Sequence, residues 1–131
     1  MSLETSSTVP VVLFTHQGHY FALEAAYVRT QGNVQALECG RHVLPFALVL
    51  DAQVQEAVRI AHYLEFVTPA GSGWLGLAQS AELVELPVSQ ISALPPLLQV
   101  RRNLVALQAF AWHQGAIVSI LDARLLPCAA Q

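Results

Sequence analysis

The residues of this chain with chemical potential are five histidines, two cysteines and a small set of carboxylates, so their spacing decides which chemistry is open. His16 and His19 bracket one turn, while His42, His62 and His113 fall on separate segments. A metal cluster would recruit carboxylates as well, and within three residues of a histidine only Glu65, beside His62, occurs. Neither Cys39 nor Cys128 has a second cysteine or a histidine at zinc spacing. For nucleophilic catalysis Cys39 with a histidine is the one pair to consider, since the chain has no G-x-S-x-G elbow. A lone cysteine is ordinarily a small buried hydrophobe. Ser72, in Gly71-Ser72-Gly73, reads as a turn serine. Glu82 and Glu85 are three apart on a strand-like segment, which sends them to opposite faces and rules out a carboxylate pair. No glycine run carries the lysine of a phosphate-binding loop. The expectation is no enzyme, no catalytic residue, no metal and no cofactor.

Composition points the same way. The 131 residues are 54% hydrophobic and 11% charged, with a mean hydropathy of +0.48. That is more apolar than an ordinary soluble domain and implies an exterior partly covered by a partner. The apolar runs are broken by Gln, Glu, His, Asn or Arg before the roughly 18 residues a membrane helix needs. Met1 to Thr8 is polar and lacks the basic and apolar regions of a signal peptide. A cytoplasmic location is therefore expected, with both cysteines as thiols. A net charge of −3, with Arg101-Arg102 the one basic pair, gives a nucleic acid little to bind.

The elements that must position these residues read as short strands between Gly and Pro turns. Val9–Phe14 and Tyr20–Leu23 form a hairpin across His16-Gln17-Gly18-His19. Glu24-Ala25-Ala26 suits one helical turn, Tyr27–Thr30 a strand, and Gln31-Gly32-Asn33 a break. Periodicity leaves His42–Leu50 open between strand and helix, with Pro45 favouring an edge strand or bulge. Asp51 can cap a short helix through Val54 and Ala57. Arg59–Val67 alternates as a half-solvated strand, and Thr68–Gly73 is a turn. Trp74–Leu86 reads as a long strand or as a strand with a bulge near Gln79-Ser80. Pro87–Arg102 is a crossover with one turn at Val88-Ser89-Gln90. Asn103–Trp112 and Ala116–Leu121 make a last hairpin, and Asp122 caps a terminal helix that Pro127 ends. The fold class is all-β with short helices, a barrel or pair of barrels, with residues 1–8 a flexible tail and 9–131 a single domain.

The order of segments resembles a CheW-like domain of the chemotaxis coupling proteins. The resemblance rests on Val12-Leu13-Phe14 and Tyr20-Phe21-Ala22-Leu23-Glu24, on Trp74-Leu75-Gly76-Leu77-Ala78, on the exit Leu83-Val84-Glu85-Leu86-Pro87, on Ile91–Leu98 with Pro95-Pro96, and on Ile120-Leu121-Asp122-Ala123-Arg124-Leu125-Leu126. It implies two interlocked five-stranded β barrels with a shared core, the first truncated here. It also implies a non-enzymatic adaptor that docks on the regulatory domain of a CheA-like histidine kinase and on a chemoreceptor's cytoplasmic tip. By position, Val28 and Thr30 fall where the family contacts receptor, with Thr30 replacing a common acid. The family's N-L-R-G segment is reduced to Val34–Gly40, Arg41 follows Gly40, and Leu48 stands where an Asp is usual. A divergent β-barrel enzyme or small-ligand binder, and a self-associating domain, remain as alternatives. A deep polar pocket holding Cys39 and two histidines would favour the enzyme, a shallow apolar groove between two barrels the adaptor.

Overall fold

The computed structural model describes residues 7–36, 43–50, 59–95 and 106–126. Its first hairpin joins β1 (Thr8–His16) to β2 (His19–Glu24), in register from Val11 opposite Glu24 to His16 opposite His19. Gln17 and Gly18 both take positive φ, 52° and 82°. That pair of conformations gives a two-residue turn whose twist matches the strands it joins. The same tripeptide, His-Gln-Gly, closes the last hairpin, where Gln114 and Gly115 (φ 52° and 80°) link β9 (Leu107–His113) to β10 (Ala116–Leu121).

These two hairpins lie side by side because β2 pairs in parallel with β10, Val118 opposite Tyr20 through Leu121 opposite Leu23. With β7 (Glu82–Pro87) outside β1 and β8 (Ile91–Ala93) outside β9, they form a six-stranded sheet in the order β7-β1-β2-β10-β9-β8. The second sheet runs β3 (Val28–Asn33), β5 (His62–Thr68), β6 (Gly71–Leu77), β4 (Val43–Pro45). The all-β class is thus observed, and the ten strands that two five-stranded barrels require are present, their ladders divided six and four.

The hairpin β1–β2 is apolar on both faces. Val12, Phe14, Phe21 and Leu23 point into one core with Leu64 and Phe66 of β5, Leu75 and Leu77 of β6, and Phe46 of the short helix α1 (Phe46–Leu50). Val11, Leu13 and Ala22 point into a second core with Leu86, Ala109, Ala111, Val118 and Ile120. Three phenylalanine rings knit the first core: Phe46 meets Phe14 edge-on at 4.9 Å and Phe21 at 4.8 Å. Such pairs contribute about 0.5–1.5 kcal/mol beyond their buried area.

Several expectations change. Gln31-Gly32-Asn33 is not a break; it continues β3, opposite Leu64, Tyr63 and His62. Gly32 permits this because Tyr63 lies where a side chain would go, 3.3 Å from an ideal Cβ. Trp74–Leu86 is not one strand but two, β6 and β7, in different sheets, with exposed Ala78, Gln79 and Ser80 carrying the chain across. Thr15 Oγ1 donates to Gln79 Oε1 at 3.0 Å, holding that crossing to β1. Only Pro69 and Ala70 form the turn before β6; Ser72 is a strand residue opposite Val67. Thr68 closes the turn, its buried Oγ1 accepting from Ala70 N and donating to Gly71 O. The ambiguous segment is strand then helix: β4 ends at Pro45 as an edge strand paired in parallel with β6, and α1 begins at Phe46. The crossover contains β8, a strand too short for periodicity to show, after the expected turn at Val88–Gln90. Thr8, assigned to the tail, starts β1 opposite Pro87. The expected helix after Asp122 is a single 3-10 turn, Ala123–Leu125, capped by Asp122 Oδ1 accepting from Arg124 N at 3.0 Å. The Arg124 guanidinium returns to the same carboxylate at 2.9 Å on each oxygen, which holds the Asp122 carboxyl below its ordinary range. The helix expected after Asp51 lies outside the described residues.

Gly76 offers a sharp test of the packing. A Cβ there would sit 2.7 to 3.0 Å from three side-chain carbons of Ile60, whose branching leaves little room to yield. Gly76→Ala should therefore cost about 1–3 kcal/mol of stability. Urea denaturation of wild type and variant measures it, and unchanged midpoints would refute this packing.

Candidate protein-binding surfaces

Strand β3 carries both residues singled out by position. It lies at the edge of the four-stranded sheet with β5 as its ladder partner. Val28 opposes Phe66 and Thr30 opposes Glu65, so Arg29 is an inserted residue, a bulge that breaks the alternation. Val28 is consequently half-buried against the first core, whereas Thr30 is exposed. Thr30 Oγ1 donates to Glu65 Oε1 at 3.0 Å, and Arg29 Nη1 reaches Glu65 Oε2 at 3.4 Å. Glu65 is the member of this site that sequence reading missed. Its place in the alternation of β5 was visible, but its proximity to Thr30 depends on a cross-strand register that no local pattern encodes.

A second surface lies on the outer side of β8, β9 and β10. A groove of about 210 Å³ is lined there by Gln90, Ser92, Phe110, Ala111, Trp112 and Ile117. It is mostly apolar and open to solvent.

The histidines do not converge. His16 and His19 face each other beside their turn, and the His16 ring meets Phe46 edge-on at 5.6 Å. His62 lines a small cleft of about 130 Å³ with Gln31, Gly32, Tyr63, Ser80 and Ala81, while His113 ends β9 at the turn of the last hairpin, which the parallel pairing of β2 with β10 puts at the same end of the sheet as the first. Among the described residues no three of His, Cys, Asp and Glu gather where they could hold a metal ion. Cys39, His42 and Cys128 lie outside the described residues. Glu82 and Glu85 are exposed, and Glu85 accepts from Thr8 Oγ1 at 2.6 Å. Among the described residues no helix is long and apolar enough to cross a membrane.

No family model and no curated protein matches the chain. Among solved structures, the architecture is similar to that of a CheW scaffold. The crystal structure in question is that of the scaffolding protein TtCheW from Thermoanaerobacter tengcongensis, with a TM-score of 0.68 over 88% of this chain and 89% of that one, at 10% sequence identity. The likeness is one of fold: a CheW-like, β-rich arrangement.

The placement of His16 carries a pH consequence. Burial against Phe46, and secondarily the neighbouring His19, lower its pKa from the ordinary 6.5. The folded state therefore favours the neutral imidazole. That contribution is fully present above pH 6.5 and is lost as pH falls through that value toward the lower folded one. His16→Phe, which keeps a ring against Phe46, should flatten the fall in thermal midpoint on acidification through this window. Parallel slopes for variant and wild type would show that His16 does not contribute.

Proposed function

We propose that this chain is a cytoplasmic, non-enzymatic adaptor in chemotaxis-type signal transduction, binding the regulatory domain of a CheA-like histidine kinase and presenting β3 to a chemoreceptor's cytoplasmic tip. The observation that carries this reading is the CheW-like fold, shared over nearly all of both chains with a protein described as a scaffold. The apolar groove on the outer side of β8, β9 and β10 supports a protein-binding role, as exposed apolar patches do.

Residues 9–131 then act as one domain of two barrel subdomains, the shared hairpin joining them. At the receptor-facing edge, the acid usual at the Thr30 position is replaced by a carboxylate from the adjacent strand: Glu65 lies within hydrogen-bond distance of the Thr30 hydroxyl. Val28 backs this edge from the core side, so Thr30 is the contact and Val28 its support.

Titration against the kinase encoded nearest this gene, and against a receptor tip peptide, tests the reading. Thr30→Arg, at an exposed position, should leave the melting temperature unchanged and weaken receptor-tip binding by about 2 kcal/mol if Thr30 is an anchor. Val28→Glu should lower both binding and stability, because it buries a charge against the first core. Absence of binding to both partners by the folded wild type would end the adaptor reading.

A further inference from the structure

We propose that His16 and His19 form a two-imidazole site for a late first-row divalent cation at the turn of the β1–β2 hairpin. The inference stands apart from the adaptor reading, since it rests on the register of this hairpin alone.

Register is the first observation. His16 and His19 are the last pair of the β1–β2 ladder, directly opposite each other across Gln17-Gly18. Opposed residues of an antiparallel pair point to the same face, with Cβ atoms about 4.5–5.5 Å apart. The next pair on that face shows what this spacing does to rings: Phe14 and Phe21, also opposed, stack with centroids 6.0 Å apart. Two residues nearer the turn, the same face presents two imidazoles side by side. His19 is also one of the causes that lower the His16 pKa, so a charge on one ring is felt at the other.

The second observation is how each ring is held. His16 is half-buried, with Phe46 edge-on at 5.6 Å, so one ligand is fixed before an ion arrives and less side-chain entropy is lost on binding. His19 is exposed, which gives the ion an approach from water and leaves positions for water ligands. Among the described residues no third His, Cys, Asp or Glu completes the group. His113 lies at the same end of the sheet but follows Ala109 and Ala111 toward the second core, on the face opposite that of Phe14 and Phe21.

The donor set selects the ion. Mg²⁺ and Ca²⁺ require oxygen ligands, and closed zinc sites take four protein ligands. Two neutral nitrogen donors with open positions leave the ranking to intrinsic affinity, which rises through Co²⁺ and Ni²⁺ to Cu²⁺. Ni²⁺ is the probe to use, because Cu²⁺ oxidises thiols and the chain carries Cys39 and Cys128.

The last hairpin supplies an internal control. It has the same His-Gln-Gly turn with matching φ angles, but Ala116 stands opposite His113. Isothermal titration of tag-free protein with Ni²⁺ under reducing conditions should therefore detect one chelating site per chain. His19→Ala, which copies the last hairpin, should weaken it about ten-fold or more, because the second bond of a chelate forms at millimolar or higher effective concentration. His16→Phe, which keeps a ring against Phe46, should do the same, and His113→Ala should change nothing. Ala116→His should create a second site of similar affinity. Circular dichroism establishes that each variant is folded, and His19→Gln serves where His19→Ala is not. A wild type that binds Ni²⁺ no more tightly than a folded His19 variant overturns the proposal. So does an equal loss in His113→Ala, or a folded Ala116→His that gains no site.

Discussion

Burial of both faces of the β1–β2 hairpin constrains everything else in the fold. Val12, Phe14, Phe21 and Leu23 on one side, and Val11, Leu13 and Ala22 on the other, must all leave water. Each larger side chain contributes about 1.5–3 kcal/mol when fully buried. The two sides are covered differently: β5 and β6 of the second sheet cover the phenylalanine face, and β7, β9 and β10, strands of the hairpin's own sheet, close over the aliphatic one. The two cores share a wall, and neither half can be removed without exposing the hairpin. This is the physical content of two cores that share one hairpin.

The parallel pairing of β2 with β10 follows from the same demand. Phe21 and Leu23 need the first core, and Ala22 the second, which fixes which face of β2 each residue occupies. Joining β10 alongside sets Val118 and Ile120 toward the second core and leaves Ile117 and Ser119 on the opposite face, away from it. The apolar outer face of β9 and β10 is therefore tied to interior packing by the two-residue period of the strand, and a one-residue slip would exchange buried and exposed sets. Surface character and core register are one choice here.

On the other sheet, the Arg29 bulge plays a comparable part. It turns Val28 inward and Thr30 outward across one inserted residue, and it places a charged side chain on an edge strand. Both features discourage indiscriminate strand pairing at an open edge. The strand proposed to meet a receptor is thus also one protected against aggregation.

The sequence by itself determined the local elements. β-Branched and aromatic runs at Val9–Phe14 and Tyr20–Leu23 marked a hairpin, His-Gln-Gly marked two hairpin turns, alternation around Leu64 and Phe66 marked β5, and Asp122 marked a cap. Each is legible because strand period, turn conformation and capping are properties of a few adjacent residues. Tertiary structure decided what depends on distant partners. That Trp74–Leu86 divides between two sheets, that Gly32 stays in a strand beneath Tyr63, and that Pro45 separates a strand from a helix are settled by the elements packed against them. The candidate surfaces divide in the same way. The absence of charge from the last hairpin is written in the sequence, and the choice of Val28 and Thr30 comes from the resemblance. The meeting of Thr30 with Glu65, and of Trp112 with Ile117 above one groove, belongs to cross-strand register, because pairing energy is set by side chains that only the folded chain brings together.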